Sequence, residues 1–192
     1  MDKYRLLTDD FKELPTNGIK LYRIEALMDF GDVKKGDKGG YIQSEGDNLS
    51  HEKTCWVYGD ARVSGDAWVY GNALVSGDAW VYGDAQVSGN AWVYGDARVY
   101  GNARVSGNAW VSGDAEISSS NDVFWMTGFG SENRTTTVFV DNKIEGGWRV
   151  VCGCFTGTIS EFADKVKETH GNNQYGKEYL LLIDLILLRI KR

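Results

Sequence analysis

From Cys55 to Ser120, apolar and polar residues alternate on a six-residue beat, A-x-V-[YS]-G-[DN], with Cys55 in the place of the first alanine. Eleven hexads follow one another without an insertion; the last, AEISSS, keeps the alanine but has Ile for Val and serines in place of the Gly-Asp/Asn turn. Strand alternation sends the Ala and Val positions to one face and the x and Tyr/Ser positions to the other. Gly followed by Asp or Asn turns the chain, because both tolerate positive φ. Alanine and valine suit a narrow interior that larger residues would overpack. The pattern predicts the rod of a β-solenoid.

The corner residues set the number of hexads per coil. In order they are Asp60, Asp66, Asn72, Asp78, Asp84, Asn90, Asp96, Asn102, Asn108 and Asp114. Compared three hexads apart they all match, except Asp84 with Asn102; compared two apart, most fail. Three hexads therefore make one coil, and the rod is a triangular prism. That register stacks Asp60, Asp78, Asp96 and Asp114 along one edge and Asn72, Asn90 and Asn108 along another. Adjacent coils lie about 4.8 Å apart, so an Asn ladder can be bonded from rung to rung. The Asp column is expected to be hydrated and bonded to its own turns, since single carboxylates supply few ligands each to a cation such as calcium.

A second period runs through the outward positions. Trp56, Trp68, Trp80 and Trp92 recur at every second hexad, as do Tyr58, Tyr70, Tyr82 and Tyr94. On a triangular rod, large and small side chains then alternate down each face. The first face carries Trp56, Leu74, Trp92 and Trp110, the second Arg62, Trp80, Arg98 and Glu116, and the third Trp68, Gln86 and Arg104. The first is apolar beyond what a monomer usually exposes. It is expected to be covered by the C-terminal unit, another subunit or a partner.

Residues 1–54 lack hexads. Leu21–Leu27 reads as a strand, Asp32–Gly40 as turns and Tyr41–Gln43 as a strand. We expect a cap over the first coil, whose edge would otherwise be unpaired. Extending the register upstream puts His51 at an interior position and Lys53 at a glycine turn, so the boundary is placed at about residue 54. Residues 121–192 read as a small α+β unit. Asp122–Thr127, Thr136–Asp141 and Trp148–Phe155 are predicted strands. Thr158-Ile-Ser-Glu161 is a capping box opening a helix that ends near Gly171. A second helix runs from about Gly176, and its Leu180–Ile190 run leaves almost no polar face. Such a helix is expected to be buried on several sides, with Leu181, Leu185 and Leu188 in oligomer or interdomain packing.

Composition narrows the functional classes. A net charge of −6 argues against nucleic-acid binding, which needs a basic field. Three cysteines without a disulfide framework suit a reducing compartment, and the opening MDKYRLLTDD has no apolar signal core. We therefore expect a cytoplasmic protein. The longest apolar run is too short and too interrupted for a membrane span.

The hexads resemble the hexapeptide-repeat β-helix superfamily. Leu21-Tyr-Arg-Ile24, Phe30 through Ile42 (FGDVKKGDKGGYI), Asn48-Leu-Ser-His51, Cys55-Trp-Val-Tyr58, Cys152 through Phe162 and Thr169-His-Gly171 are similar to a group of β-solenoid proteins common in phages and prophages, often labelled polymer-forming or cytoskeletal-like. The resemblance covers nearly the whole chain. It implies a left-handed parallel β-helix, a phage setting in host cytoplasm, and no established reaction.

Candidate chemistry is sparse. Hexapeptide-repeat acyltransferases resemble the rod alone. They need a general-base histidine near the rod and usually a loop extruded from a coil, and this rod has neither. His51 and His170 lie in the flanks. Cys152, Cys154 and His170 could pair thiol with imidazole, since C-x-C places both sulfurs on one face of a strand. The plainer reading makes the cysteines small core residues under the first C-terminal helix, with His170 closing that helix. No zinc ligand set stands out. Arg62 and Arg98 share a face with Trp80, and Arg104 lies on the third; arginine beside aromatics suits a planar anionic ligand such as a nucleotide. We expect a mainly β protein without cofactor, metal or catalysis, forming a homo-oligomer and acting as an interaction module. Its partner would be a host protein or a small signalling molecule, with a counter-defence role. The candidate surface comprises Trp56, Trp92, Trp110, Arg62, Trp80, Arg98 and Arg104. The alternatives are a self-associating scaffold and, after it, an acyltransferase.

Overall fold

The computed structural model of the protein describes residues 2–191. Two compact units divide at Asp122/Val123.

The first unit opens with β1 (Tyr4–Glu13), β2 (Lys20–Ala26) and β3 (Lys38–Ile42). Eleven two-residue strands follow at six-residue steps, β4 (Trp56–Val57) through β14 (Glu116–Ile117), among the described residues. Trp56 pairs in parallel with Leu74, Leu74 with Trp92, and Trp92 with Trp110. Arg62, Trp80, Arg98 and Glu116 form the second column, and Trp68, Gln86 and Arg104 the third. Each strand pairs with the one three hexads on, as the corner residues predict. Three parallel sheets thus enclose a core of Ala and Val from Ala61 to Ile117, with no solvent exposure along it. Burying these small side chains stabilises the rod by roughly 25 cal/mol per Å² of apolar surface.

The Asn ladder forms. The Asn72 amide donates to Asn90 Oδ1 at 3.0 Å, and Asn90 donates to Asn108 Oδ1 at 3.0 Å. Thr54 extends it by one rung, its hydroxyl donating to Asn72 Oδ1. The beat of every second hexad also has a structural reason. Large and small hexads alternate down each face, so Trp80 Nε1–H reaches Ser64 Oγ and Trp92 Nε1–H reaches Ser76 Oγ, at 3.1 and 3.0 Å.

The boundary at residue 54 marks a change of register and not the start of the coil. β3 joins the rod in parallel, Tyr41 opposite Arg62 and Ile42 opposite Val63. Leu49 bridges Val69. Both steps are longer than the three hexads that the rod keeps, and they differ from each other. The extra residues conceal the coil in the sequence. Lys53 still takes the left-handed turn conformation, φ +55°, that glycine occupies downstream. β1 and β2 form an antiparallel hairpin that extends the same sheet, in the order β1-β2-β3-β5-β8-β11-β14, where β5 is Arg62–Val63, β8 is Trp80–Val81 and β11 is Arg98–Val99.

The face from Trp56 to Trp110 is not uniform. Trp56 is buried, with Phe30 edge-on at 5.2 Å and Tyr4 at 6.1 Å, so the cap itself covers that end. Trp92 is half-buried, and Trp110 stays exposed with its ring edge-on to Trp92.

The second unit is a four-stranded antiparallel sheet, β15 (Val123–Phe129), β16 (Arg134–Val140), β17 (Trp148–Cys152) and β18 (Phe155–Thr158), with α1 (Ile159–His170) and α2 (Gln174–Ile190). The predicted single strand to Phe155 is a hairpin, turned at Gly153 with φ +59°. Cys152 ends a strand and Cys154 sits in the turn, so the two do not share a strand face. The capping box is present: the Glu161 N–H donates to Thr158 Oγ1 and the Thr158 N–H to Glu161 Oε2. α2 packs one face, Tyr179, Leu182, Ile183 and Ile186, into a core with Phe162 and Val166 of α1 and Phe124, Val138 and Val150 of the sheet. Within its own unit α2 is buried on one face only. Leu181, Leu185 and Leu188 are 70%, 52% and 68% exposed, because the unit offers one packing surface and α2 has apolar residues for two.

Candidate interaction surfaces

Three places concentrate functional groups: the second rod face, the capped end of the rod, and the outer side of α2. On the second face, Arg62 lies with its guanidinium carbon 5.3 Å from the Trp80 ring centroid. Its Nε is buried without a hydrogen-bond partner among the described residues. Trp80 also touches the cluster of Leu14, Leu21 and Tyr41. Arg62 is thus committed to the cap side of the face. Arg98 is more open and pairs with Glu116 at 4.0 Å. Beside it Tyr82 and Tyr100 stack at 5.1 Å with 6° between planes. This pair escapes the sequence reading. Its signal is hexad 97–102, the one place where Tyr stands in an expected Ser position. Arg104 is exposed on the third face, away from this group, next to Gln86 in register. Trp68 and Tyr70 stack on that face at 4.2 Å.

The Asp column is partly neutralised by the cap. Lys12 bonds Asp60 at 2.7 Å and holds its carboxyl below the usual range, with Arg23 contributing at 3.9 Å. Arg23 also bonds Asp10 and the Tyr41 hydroxyl. Among the described residues, no group of three or more His, Cys, Asp or Glu side chains is placed to hold a metal ion.

At the capped end, Tyr4 stacks on His51 at 4.3 Å, and His51 Nδ1 accepts the Lys3 backbone N–H. The Tyr4 hydroxyl donates to the Leu49 carbonyl at 2.6 Å and accepts from the Gly46 N–H. Burial pushes the Tyr4 phenol well above its ordinary value. His51 is therefore a packing residue of the cap. In the second unit, His170 stacks on Tyr179 at 5.6 Å, and the Tyr179 hydroxyl lies 3.8 Å from Cys152 Sγ. Burial, with Cys152 alongside, pushes the Tyr179 phenol up to about 12. Thr136 Oγ1–H donates to Cys152 Sγ. Tyr179, and not an imidazole, is thus the neighbour of the thiol. His170 is the last residue of α1, as the sequence suggests.

The outer side of α2 presents Leu181, Leu185 and Leu188, spaced i, i+4, i+7, which is one heptad of a helix-packing seam. Exposed Lys177, Asp184 and Lys191 flank it. Leu185 and Leu188, with Phe124, Trp125, Met126 and Arg189, line a groove of about 240 Å³. No helix among the described residues is long and apolar enough to cross a membrane.

Parallel coils of three hexads, with a left-handed glycine turn in each of the first ten hexads, decide the class. The chain is a repeat β-solenoid protein. Residues 57–71, 67–83, 85–99 and 97–113 match the YdcK beta solenoid repeat. The matches lie wholly within the regular hexads and leave the cap and the second unit outside. No curated protein matches the chain.

Proposed function

We propose that this β-solenoid is a non-catalytic interaction module that acts by occupancy, and that α2 is its protein-binding element. The observation that carries the reading is the open row of Leu181, Leu185 and Leu188. Three leucines at one-heptad spacing beside an apolar groove are what a partner helix or hydrophobic loop needs. The likeness of the flanks to phage and prophage solenoids supports a host protein as partner and a counter-defence role in host cytoplasm. A filament of coils stacked end to end is disfavoured, because β3, Lys3 and Tyr4 already occupy the first coil's edge. The positions of His51 and His170, both engaged in ring stacking, give no support to acyl transfer.

The test compares the chain with Leu185→Glu/Leu188→Glu. Capture from host lysate is expected to retain a protein that the variant loses, with affinity at least about tenfold weaker, which is ~1.4 kcal/mol. The melting temperature should be nearly unchanged, since both side chains are exposed. Equal retention by the variant would sink the reading. Concentration-dependent self-association, abolished by the same change, would favour a homo-oligomeric scaffold instead.

A second reading, a small anionic ligand such as a nucleotide, is favoured by Arg98 beside the stacked Tyr82 and Tyr100, with Trp80 and Arg62 next along the face. Here a thermal shift with a particular nucleotide is expected, lost in Arg98→Ala. A panel of mono-, di- and cyclic nucleotides that leaves the melting curve unmoved would end it.

A further inference from the structure

Ten of the eleven hexads begin with alanine; the first begins with Cys55. All eleven of these residues are fully buried. An alanine therefore fits this interior, and the thiol is not required to fill it. Down the rod, the carbonyl at this position accepts the N–H of the coil before it: Ala73 from Trp56, Ala91 from Leu74, Ala109 from Trp92. At Cys55 the bond comes instead from Lys3. Its Nζ donates to the Cys55 carbonyl at 2.8 Å and lies 3.2 Å from Cys55 Sγ. Lys3 is only 2% exposed and sits 5.1 Å over the Phe30 ring. Among the described residues its side-chain partners are a carbonyl, a thiol and an aromatic face, with no carboxylate to hold it as an ammonium. The one rod cysteine and the buried lysine thus meet at a point where packing alone would be met by alanine and a neutral donor.

We propose that Lys3 and Cys55 are a modification site: under peroxide they form a sulfenamide, a covalent Nζ–Sγ bond that fastens the cap to the first coil. The oxidant is a hydroperoxide, written here as hydrogen peroxide. Sγ attacks one peroxide oxygen, the O–O bond breaks, and Cys55 sulfenic acid and water form. The neutral Lys3 amine then attacks Sγ. The S–O bond breaks, and the departing hydroxide takes the proton released from nitrogen. Thiol, amine and peroxide give one S–N bond and two waters; sulfur is oxidised by two electrons and the peroxide reduced by two. Sulfenic acids condense in this way with a backbone nitrogen, and a neutral amine is the stronger nucleophile. Burial lowers the Lys3 pKa, which makes the neutral amine more available. Burial also raises the Cys55 pKa, which slows the first step, so the reaction runs during local opening of the cap.

The experiment treats the purified full chain with hydrogen peroxide, alkylates remaining thiols, and maps peptides without reductant. Cys152→Ser/Cys154→Ser removes a competing disulfide. The expected product has lost two hydrogens, carries a Lys3 peptide joined to a Cys55 peptide, and reverts with a thiol reductant. Its melting temperature is higher than that of the untreated chain, because the link closes a long loop in the unfolded state. Lys3→Arg keeps a charged donor but no nucleophilic amine, and should give no link. Should the double serine variant fold poorly, the joined peptide in the wild-type digest is diagnostic by itself. Recovery of Cys55 as free thiol, or as sulfinic or sulfonic acid with Lys3 unmodified, overturns the proposal.

Discussion

Val93→Asp is expected to unfold the rod at ordinary temperature. Val93 is fully buried, between Val75 and Val111 of the adjacent coils. Aspartate is close to valine in volume, so the cost comes from charge and not from shape. The interior here is lined with Ala and Val side chains, whose methyl groups can neither accept nor donate. The carboxyl must stay unpaired or bind a proton, and either costs several kcal/mol, on the order of 4–5. Each coil is held by its neighbours, so the defect weakens the rod on both sides. Far-UV circular dichroism should show loss of the cooperative transition. Val93→Thr is the control, with the same shape and one hydroxyl in place of a charge, and should cost about 1–3 kcal/mol. A Val93→Asp melt within a few degrees of wild type would mean that water reaches this interior.

Arg149→Met should have the second largest effect, confined to the second unit. Asp141 is fully buried and accepts from Arg149 Nε at 2.6 Å and from the Lys143 N–H at 3.0 Å. Arg149 is itself mostly covered. Removing the guanidinium leaves a buried carboxylate without its counter-charge, at a cost of about 3–5 kcal/mol. The informative comparison is the double change Arg149→Met/Asp141→Leu. Replacing both partners removes the unpaired charge, so much of the stability should return in chemical denaturation. A double variant as unstable as the single one would place the cost in lost packing by the Arg149 side chain and not in the ion pair.

The rod is legible in the sequence because its signal is local and repeated. Hexads supply the strand alternation and the turn, and the corner residues supply the coil length, since Asn72 and Asn90 must match to bond each other. The first coil is not legible. Tyr41, Ile42 and Leu49 pair with the rod where earlier hexads would, but their steps to Arg62, Val63 and Val69 are longer than three hexads and unequal, so no repeat survives to be counted. β1 escapes for a related reason: its burial does not alternate cleanly, and a bulge between Leu7 and Phe11 interrupts its pairing with β2. The candidate surface is half legible. Arg62, Trp80 and Arg98 do share a face, but only the structure shows Arg62 engaged with Trp80 and Arg98 set beside Tyr82 and Tyr100. The C-x-C pattern points Cys152 and Cys154 to one strand face because nothing in it marks the turn at Gly153.

By itself, then, the sequence determined the solenoid, its coil of three hexads, the Asn ladder and the α1 cap, because each depends on residues at fixed short spacing. Tertiary structure alone decided what covers the first coil and which side chains of α2 are buried. Nothing in the run of Leu180 to Ile190 says which leucines meet the sheet; that follows from the single core into which Tyr179, Leu182, Ile183 and Ile186 fit. Likewise, nothing near residue 3 announces that its side-chain nitrogen takes the place of a missing coil's N–H. That depends on the end of a rod, which exists only after the hexads have stacked.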